Sequence, residues 1–215
     1  MTHDETARAR IDALLGEIAA LRATMYRHIK DSGLSRVPEA DIPEAWLSLL
    51  DDRHPGAARK HRYDGERMTL LHALLHDMDG LVSLHSLGQE LDHPPANDPD
   101  MPRLEDWFPA IVPEETEALA LIGTVTGHPR LSDGRPIVTS NVVVLNVDAG
   151  LARTMSRWYR LGGGSNMAKL VDQQRVGVRP GIRQASEAEV RRMTGEMCLR
   201  IQEATSYLVR AGLLK

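Results

Sequence analysis

The sequence has little of what disulfide-stabilised, secreted or membrane-spanning proteins are built from. Cys198 is the only cysteine among 215 residues, which excludes an internal disulfide and a zinc site made of cysteines. Uncharged stretches are short, such as the 12 residues from Pro136 to Val147, whereas a membrane-spanning helix needs about 20 apolar residues. The first ten residues carry charges of both signs and no apolar stretch, unlike a secretory signal. We therefore expect a cytoplasmic protein without membrane contact.

Aromatic side chains are also scarce, and neither sign of charge dominates. The three Trp, four Tyr and one Phe cannot fill a core alone, so Leu, Val, Ile and Met must supply most of it. Hydrophobic and charged residues make up 42% and 26% of the chain, as in an ordinary globular protein. The net charge of −4 gives no overall attraction to nucleic acid or to an anionic membrane.

An amphipathic helix is predicted near the amino terminus. Its apolar side chains recur at alternating spacings of three and four, the pattern that suits packing against another helix within the chain or across a dimer. They are Ile11, Leu14, Ile18, Leu21 and Met25, followed by His28. Residues 11–28 are therefore the expected contact for a homo-oligomer.

Three further helices are indicated by start signals and apolar faces. Asp41 and Glu44 have the spacing of a capping box, with Pro43 in the first turn. The helix that follows should bury Trp46, Leu47 and Leu50. A longer helix is expected from about residue 64 to residue 85. Another should open at residues 186–189, a Ser-Glu-Ala-Glu capping box.

The segment 92–117 has a different composition from its surroundings. Six of the 12 prolines and eight acidic residues lie in it, against the single Arg103. Such a composition is typical of an extended connector. The Trp107-Phe108 pair within it should pack against a neighbouring surface, because two adjacent aromatic rings are costly to leave in water.

The region after the connector shows the β pattern. Residues 119–126, 137–145 and 152–161 are apolar or β-branched runs, separated by the turn signals Asp133-Gly134 and Asp148-Ala-Gly150. We predict an α+β, mainly helical fold with a small three-stranded antiparallel meander. Its expected parts are a helical hairpin or bundle at 1–91, the acidic connector at 92–117, the meander at 118–162 and C-terminal helices at 163–215.

Histidines on the third helix form one candidate site. His72 and His76 are four residues apart, so they lie on one helical face, as in two-histidine metal sites. Ala73 stands where the usual zinc-protease motif has glutamate. We therefore expect no metal there.

Arginines in the third predicted strand form the other candidate site. On one strand Arg153, Arg157 and Tyr159 would share a face, with Arg160 on the other. An open face with arginine and an aromatic ring can bind phosphate or stack on a base. The chain also has ten basic and four acidic residues at 150–200, and nine acidic against one basic at 90–121. Either the acidic segment neutralises the basic one, or the basic half binds an anionic ligand, nucleic acid or an acidic protein.

The stretches from Gly123 to Ser140 and from Arg153 to Gly162 together resemble a β module of an uncharacterised alphaproteobacterial family of unknown function. The resemblance covers about residues 119–162 and leaves the helical parts unassigned. It implies a bacterial source and a compact meander, but it implies no activity and no functional residue.

These observations favour a non-enzymatic bacterial adaptor or regulatory protein. It should self-associate through helices and present its Arg-rich β module, with Arg153, Arg157, Tyr159 and Arg160 as binding residues, to a protein partner. No catalytic residue, metal or cofactor is expected. Two alternatives stay open, a nucleic-acid-binding protein that uses the basic half 150–200 and a metal-dependent hydrolase that uses the helix with His72 and His76.

Overall fold

The structure, a computed structural model, describes residues 3–32, 37–55, 64–95, 98–113, 117–172 and 180–214. The chain forms two compact units, one made of residues 1–90 and 201–215 and the other of residues 91–200. We call them the helical unit and the sheet unit. No helix in the described ranges is long and apolar enough to cross a membrane.

The helical unit is built from α1 (His3–Ser32), a short 3-10 helix (Glu39–Asp41), α2 (Glu44–Arg53), α3 (Asp64–Asp92) and the second part of α5 (Glu187–Arg210). Its core confirms the apolar stripe of the first helix. Ile18 and Leu21 are 1% and 3% exposed and lie in one cluster with Trp46 of α2, side chains of α3 and Leu208 of α5. The apolar side chains of α1 therefore pack against other helices of the same chain. Self-association stays a prediction, and α1 would have to make such a contact with its exposed side chains Leu15, Tyr26 and Ile29.

The second helix is where the sequence placed it, but its start differs. Trp46, Leu47 and Leu50 are buried, as expected. The predicted cap at Asp41 is wrong, because α2 begins at Glu44 after Pro43 and has no side-chain cap. Asp41 ends the 3-10 helix and binds His28 of α1 instead, at 2.8 Å between Oδ2 and Nε2.

The sheet unit overturns the predicted three-stranded meander. It holds seven strands, β1 (Arg103–Val112), β2 (Ala118–Thr126), β3 (Arg135–Val138), β4 (Val142–Asn146), β5 (Leu151–Thr154), β6 (Trp158–Leu161) and β7 (Arg183–Gln184), with α4 (Met167–Asp172) between β6 and β7. Six strands follow the order β3-β2-β1-β6-β5-β4, and β7 also pairs with β1. The sheet is mixed, because β1 and β6 are parallel while the other pairs are antiparallel.

The central strand β1 lies inside the segment expected to be a connector. Although this segment is rich in proline and acidic residues, it contains a buried strand. Four apolar side chains of β1 are at most 2% exposed, namely Leu104, Phe108, Ala110 and Ile111. Pro109 is tolerated because its carbonyl faces the short strand β7 and accepts the N–H of Ala185 at 2.9 Å. The N–H that Pro109 lacks would point to the same side, where β7 pairs with β1 at only two positions.

The run 137–145, expected to be one strand, is bent and forms two. Residues 139–141 alone join β3 to β4, which are opposite ends of the six-strand order. In a flat sheet these strands would lie roughly 24 Å apart, five spacings of about 4.8 Å. Four residue steps reach at most about 14 Å. The sheet must therefore curl until its ends meet in the bent segment, and we call the curled β1–β6 sheet the barrel.

Hydrogen bonds on both sides of the bend agree with this closure. The Thr139 N–H donates to the Leu121 carbonyl of β2 at 2.9 Å, and the Asn141 carbonyl accepts the N–H of Met155 at 2.8 Å. The Thr139 hydroxyl also accepts the N–H of Leu121 at 2.9 Å. A threonine side chain thus replaces a ladder bond where the strand turns.

Side chains from all six barrel strands share one core, which includes Leu104, Leu121, Ile137, Val142, Ala152 and Tyr159. A bulge at Asp106, whose φ is +49°, changes the alternation of β1 so that Trp107 joins this core while Phe108 packs on the other face. Both rings are buried, which confirms that the Trp107-Phe108 pair packs down.

The predicted capping box at the start of α5 is confirmed. The Ser186 hydroxyl accepts the N–H of Glu189 at 3.3 Å, and a Glu189 carboxylate oxygen accepts the N–H of Ser186 at 2.9 Å. Arg183 binds the same carboxylate at 2.6 Å. These contacts, led by the hydrogen bond from Arg183, lower the pKa of Glu189 to about 2.

Candidate functional site

The four side chains proposed for binding do not share one open face. The expected strand 152–161 is a hairpin, in which β5 and β6 are joined by a turn at residues 155–157. Arg153 is 6% exposed and donates to the Thr154 carbonyl, and Tyr159 is 3% exposed inside the barrel. Arg160 donates to the backbone carbonyl of Asp98. Arg157 lies in the turn, and the binding role of all four stays a prediction.

The turn holds Arg157 through a fully buried threonine. The Thr154 N–H donates to the Arg157 carbonyl at 3.0 Å, and the Thr154 hydroxyl accepts the N–H of Arg157 at 3.4 Å. On the other side, the Ser140 hydroxyl of the bent segment accepts the N–H of Ser156 at 3.2 Å. The backbone that carries Arg157 is therefore fixed at both β5 and the bend.

The loop between β2 and β3 is fixed in a similar way. Gly127, with a φ of +68°, donates its N–H to the Asp133 carboxylate at 2.7 Å. Within the loop, the Arg130 N–H donates to Nδ1 of His128 at 3.1 Å, and the His128 carbonyl accepts the N–H of Leu131 at 3.3 Å. These bonds set the positions of His128 and Arg130 before any ligand arrives.

The strand register brings this loop and the turn to one end of the barrel. Thr126 of β2 is paired with Arg103 of β1, and Arg103 is paired with Arg160 of β6. The loop begins directly after Thr126, and Arg157 lies three residues before Arg160. Both segments therefore extend beyond the same end of β1. We call His128, Arg130 and Arg157 the basic rim.

The two arginines of the rim affect the protonation of His128. Partial burial, together with the positive charges of Arg157 and Arg130, lowers the pKa of His128 below its ordinary value of 6.5. Burial raises the pKa of Tyr159, and the charge of Arg157 opposes that rise. The neutral form of the imidazole is therefore favoured at pH 7. Because its Nδ1 accepts a hydrogen bond, its proton resides on Nε2.

Five other basic side chains described in the sheet unit already bind carboxylates. Arg103 pairs with Glu105, Lys169 with Asp106 at 3.9 Å, and Arg183 with both Glu117 and Glu189. On α5, Arg191 and Arg192 pair with acids one turn away. Within the described ranges, Arg130 and Arg157 form no ion pair, and Arg135 adds a further exposed charge at the start of β3. The acidic segment thus neutralises part of the basic half, but the arginines of the basic rim keep their charge uncompensated.

The rim was missed in part by sequence reasoning. Arg157 was one of the four predicted binding residues, but His128 and Arg130 were not predicted, because they reach the rim only through the pairing of β2 with β1 and of β1 with β6. The signal available was the Gly-His-Pro-Arg sequence at 127–130, a basic loop between two strand patterns.

The histidine helix provides no comparable arrangement. His72 and His76 are both exposed on α3. Among the residues that the structure describes, no group of three or more His, Cys, Asp or Glu side chains could hold a metal ion.

Comparison with known proteins bears on the sheet unit. Residues 88–173 match the model of a family of unknown function (DUF6634), so this part of the chain is similar to an uncharacterised family. Neither the curated proteins nor the solved structures searched contain a match to the chain. The similarity covers the barrel and its basic rim and assigns no activity to either.

Proposed function

We propose that the chain is a non-enzymatic adaptor or regulatory protein whose barrel binds an acidic segment of a partner protein at the basic rim. One observation carries this proposal. Two arginines without an acidic partner in the described ranges lie near a histidine whose neutral form they favour, whereas five other basic side chains of the unit pair with carboxylates.

Like charges placed together repel, and that repulsion is relieved when an anion binds between them. The hydrogen-bonded loop and turn also reduce the ordering cost of binding, because the backbone that carries the donors is already fixed. The rim is polar and built from loops of a rigid scaffold, as binding sites commonly are.

Arg157→Glu tests this proposal with a fluorescent oligoglutamate peptide, followed by anisotropy at low salt. The substitution reverses the rim charge, so we expect the affinity to fall by about tenfold or more. The matched control is Arg192→Glu, which makes the same charge change on α5, away from the rim. Equal losses in both variants, or no binding by the unsubstituted protein, would contradict the proposal.

Two further measurements separate the alternatives. A single-stranded oligonucleotide that binds more tightly than the acidic peptide, with a steep salt dependence, would favour the nucleic-acid interpretation. One zinc, iron or manganese ion per chain, lost in His72→Ala, would favour the hydrolase. The described part of the chain gives no specific support to either.

A further inference from the structure

We infer that the basic rim is a site for a phosphate monoester, carried by a phosphorylated serine or threonine of the partner protein. This inference rests on the proposed function and makes it more specific, because it replaces a generally acidic segment by one chemical group. Three properties of the rim support it, namely its charge, its set of donors and its isolation.

The charge of the rim matches a dianion. Arg130 and Arg157 are positive and the neutral form of His128 is favoured at pH 7, so these three side chains carry a charge of about +2, while Asp133 and Arg135 of the adjoining loop offset one another. A phosphate monoester carries about −1.5 to −2 at this pH, whereas a single carboxylate carries −1. A carboxylate would therefore leave one arginine uncompensated, and a phosphate monoester would not.

The donors also fit a tetrahedral oxyanion. Each guanidinium presents planar N–H groups that can form paired hydrogen bonds with phosphate oxygens. His128 adds an Nε2–H donor, because the Arg130 N–H occupies its Nδ1. Three donor groups from two segments suit the three terminal oxygens of a monoester better than the two oxygens of a carboxylate.

The isolation of the rim distinguishes a monoester from a nucleic-acid backbone. A bound strand needs a series of phosphate contacts and aromatic faces on which bases stack. Arg103, Lys169 and Arg183 are bound to acids, and Tyr159 is inside the barrel. Arg160 is held by a backbone carbonyl, and Arg135 ends the same loop that carries His128 and Arg130, so the unpaired arginines described at this end of the barrel form a compact site and not a long track.

The test compares one fluorescent peptide in three forms, with phosphoserine, glutamate or serine at its centre, against the full chain. We expect the phosphoserine form to bind about tenfold or more tightly than the glutamate form, because it adds charge and oxygen acceptors. Arg157→Gln and Arg130→Gln should each remove this preference. Arg192→Gln should keep it, and circular dichroism checks that all variants are folded.

Other outcomes overturn the inference in distinguishable ways. Equal binding of the phosphoserine and glutamate forms, with both lost in Arg157→Gln, would refute the phosphate site and leave the acidic partner standing. Competition by inorganic phosphate as strong as by the phosphopeptide would assign the site to a small ligand and refute the protein source. If no peptide binds, the inference and the proposed function both fail.

Discussion

Replacing Ile18 by aspartate should unfold the helical unit. Ile18 is 1% exposed in a core shared by α1, α2, α3 and the end of α5. The change removes a buried aliphatic side chain and places an unpaired carboxylate there, so we expect the free energy of unfolding to fall by at least about 4 kcal/mol. That loss is comparable with the whole stability of many domains.

Urea unfolding followed by circular dichroism measures the effect of Ile18→Asp. Leu15→Asp is the matched control, because Leu15 lies on the same helix and is 40% exposed. It should change the free energy of unfolding by less than about 1 kcal/mol. If the two variants unfold at the same urea concentration, the stripe of α1 does not form the core described here.

Replacing Trp107 by alanine should have a similar effect on the sheet unit. The ring is 8% exposed in the barrel core, and its Nε1 donates to the Gly162 carbonyl at 3.1 Å. The backbone N–H of Trp107 also donates to the Gly163 carbonyl at 3.3 Å. Loss of the ring leaves a cavity and frees a carbonyl, and we expect a cost of about 3–5 kcal/mol.

Trp158→Ala provides the control for Trp107→Ala. Trp158 begins β6 and is only half-buried, and its side chain alternates with that of the inward-facing Tyr159. We expect a cost of about 1 kcal/mol. Thermal unfolding of both variants gives the comparison. An equal loss would mean that the bulge at Asp106 does not direct Trp107 into the barrel.

The helices could be predicted from the sequence because their signals are local. The stripe of α1, the buried face of α2 and the capping box of α5 each depend on side chains within one or two turns. The false cap at Asp41 arose because the same local signal can serve a 3-10 helix and a side-chain contact with His28.

The barrel could not be predicted because its pairing is non-local. Nothing in the composition of residues 103–112 shows that β1 lies between β2 and β6, since acids and Pro109 mask its buried positions. The bend at residues 139–141 is likewise decided by pairing with two different strands. The β-branched run 137–145 indicates a strand but cannot show where that strand changes partners.

The site was predicted only in part for the same reason. Arg157 could be predicted as a binding residue because it lies in a run of arginines, whereas Tyr159 of the same run is in the barrel core. His128 and Arg130 join Arg157 through the register of β2, β1 and β6. A local residue pattern can indicate the binding residues of one segment, but those of a second segment become apparent only from the strand pairing.

The most direct test of the anion site follows the His128 ring by NMR as the pH is changed. Without a ligand, its midpoint should lie below 6.5, because partial burial and the charges of Arg157 and Arg130 favour the neutral ring. Sulfate is a tetrahedral dianion that does not titrate near neutral pH, so it can stand in for phosphate. Sodium chloride of equal ionic strength controls for screening.

We expect sulfate to raise the His128 midpoint above that in sodium chloride, since a bound dianion stabilises the imidazolium. In Arg157→Gln, the ligand-free midpoint should rise towards 6.5, and sulfate should no longer move it. A midpoint that is the same in sulfate and in sodium chloride would show that the basic rim does not bind a dianion.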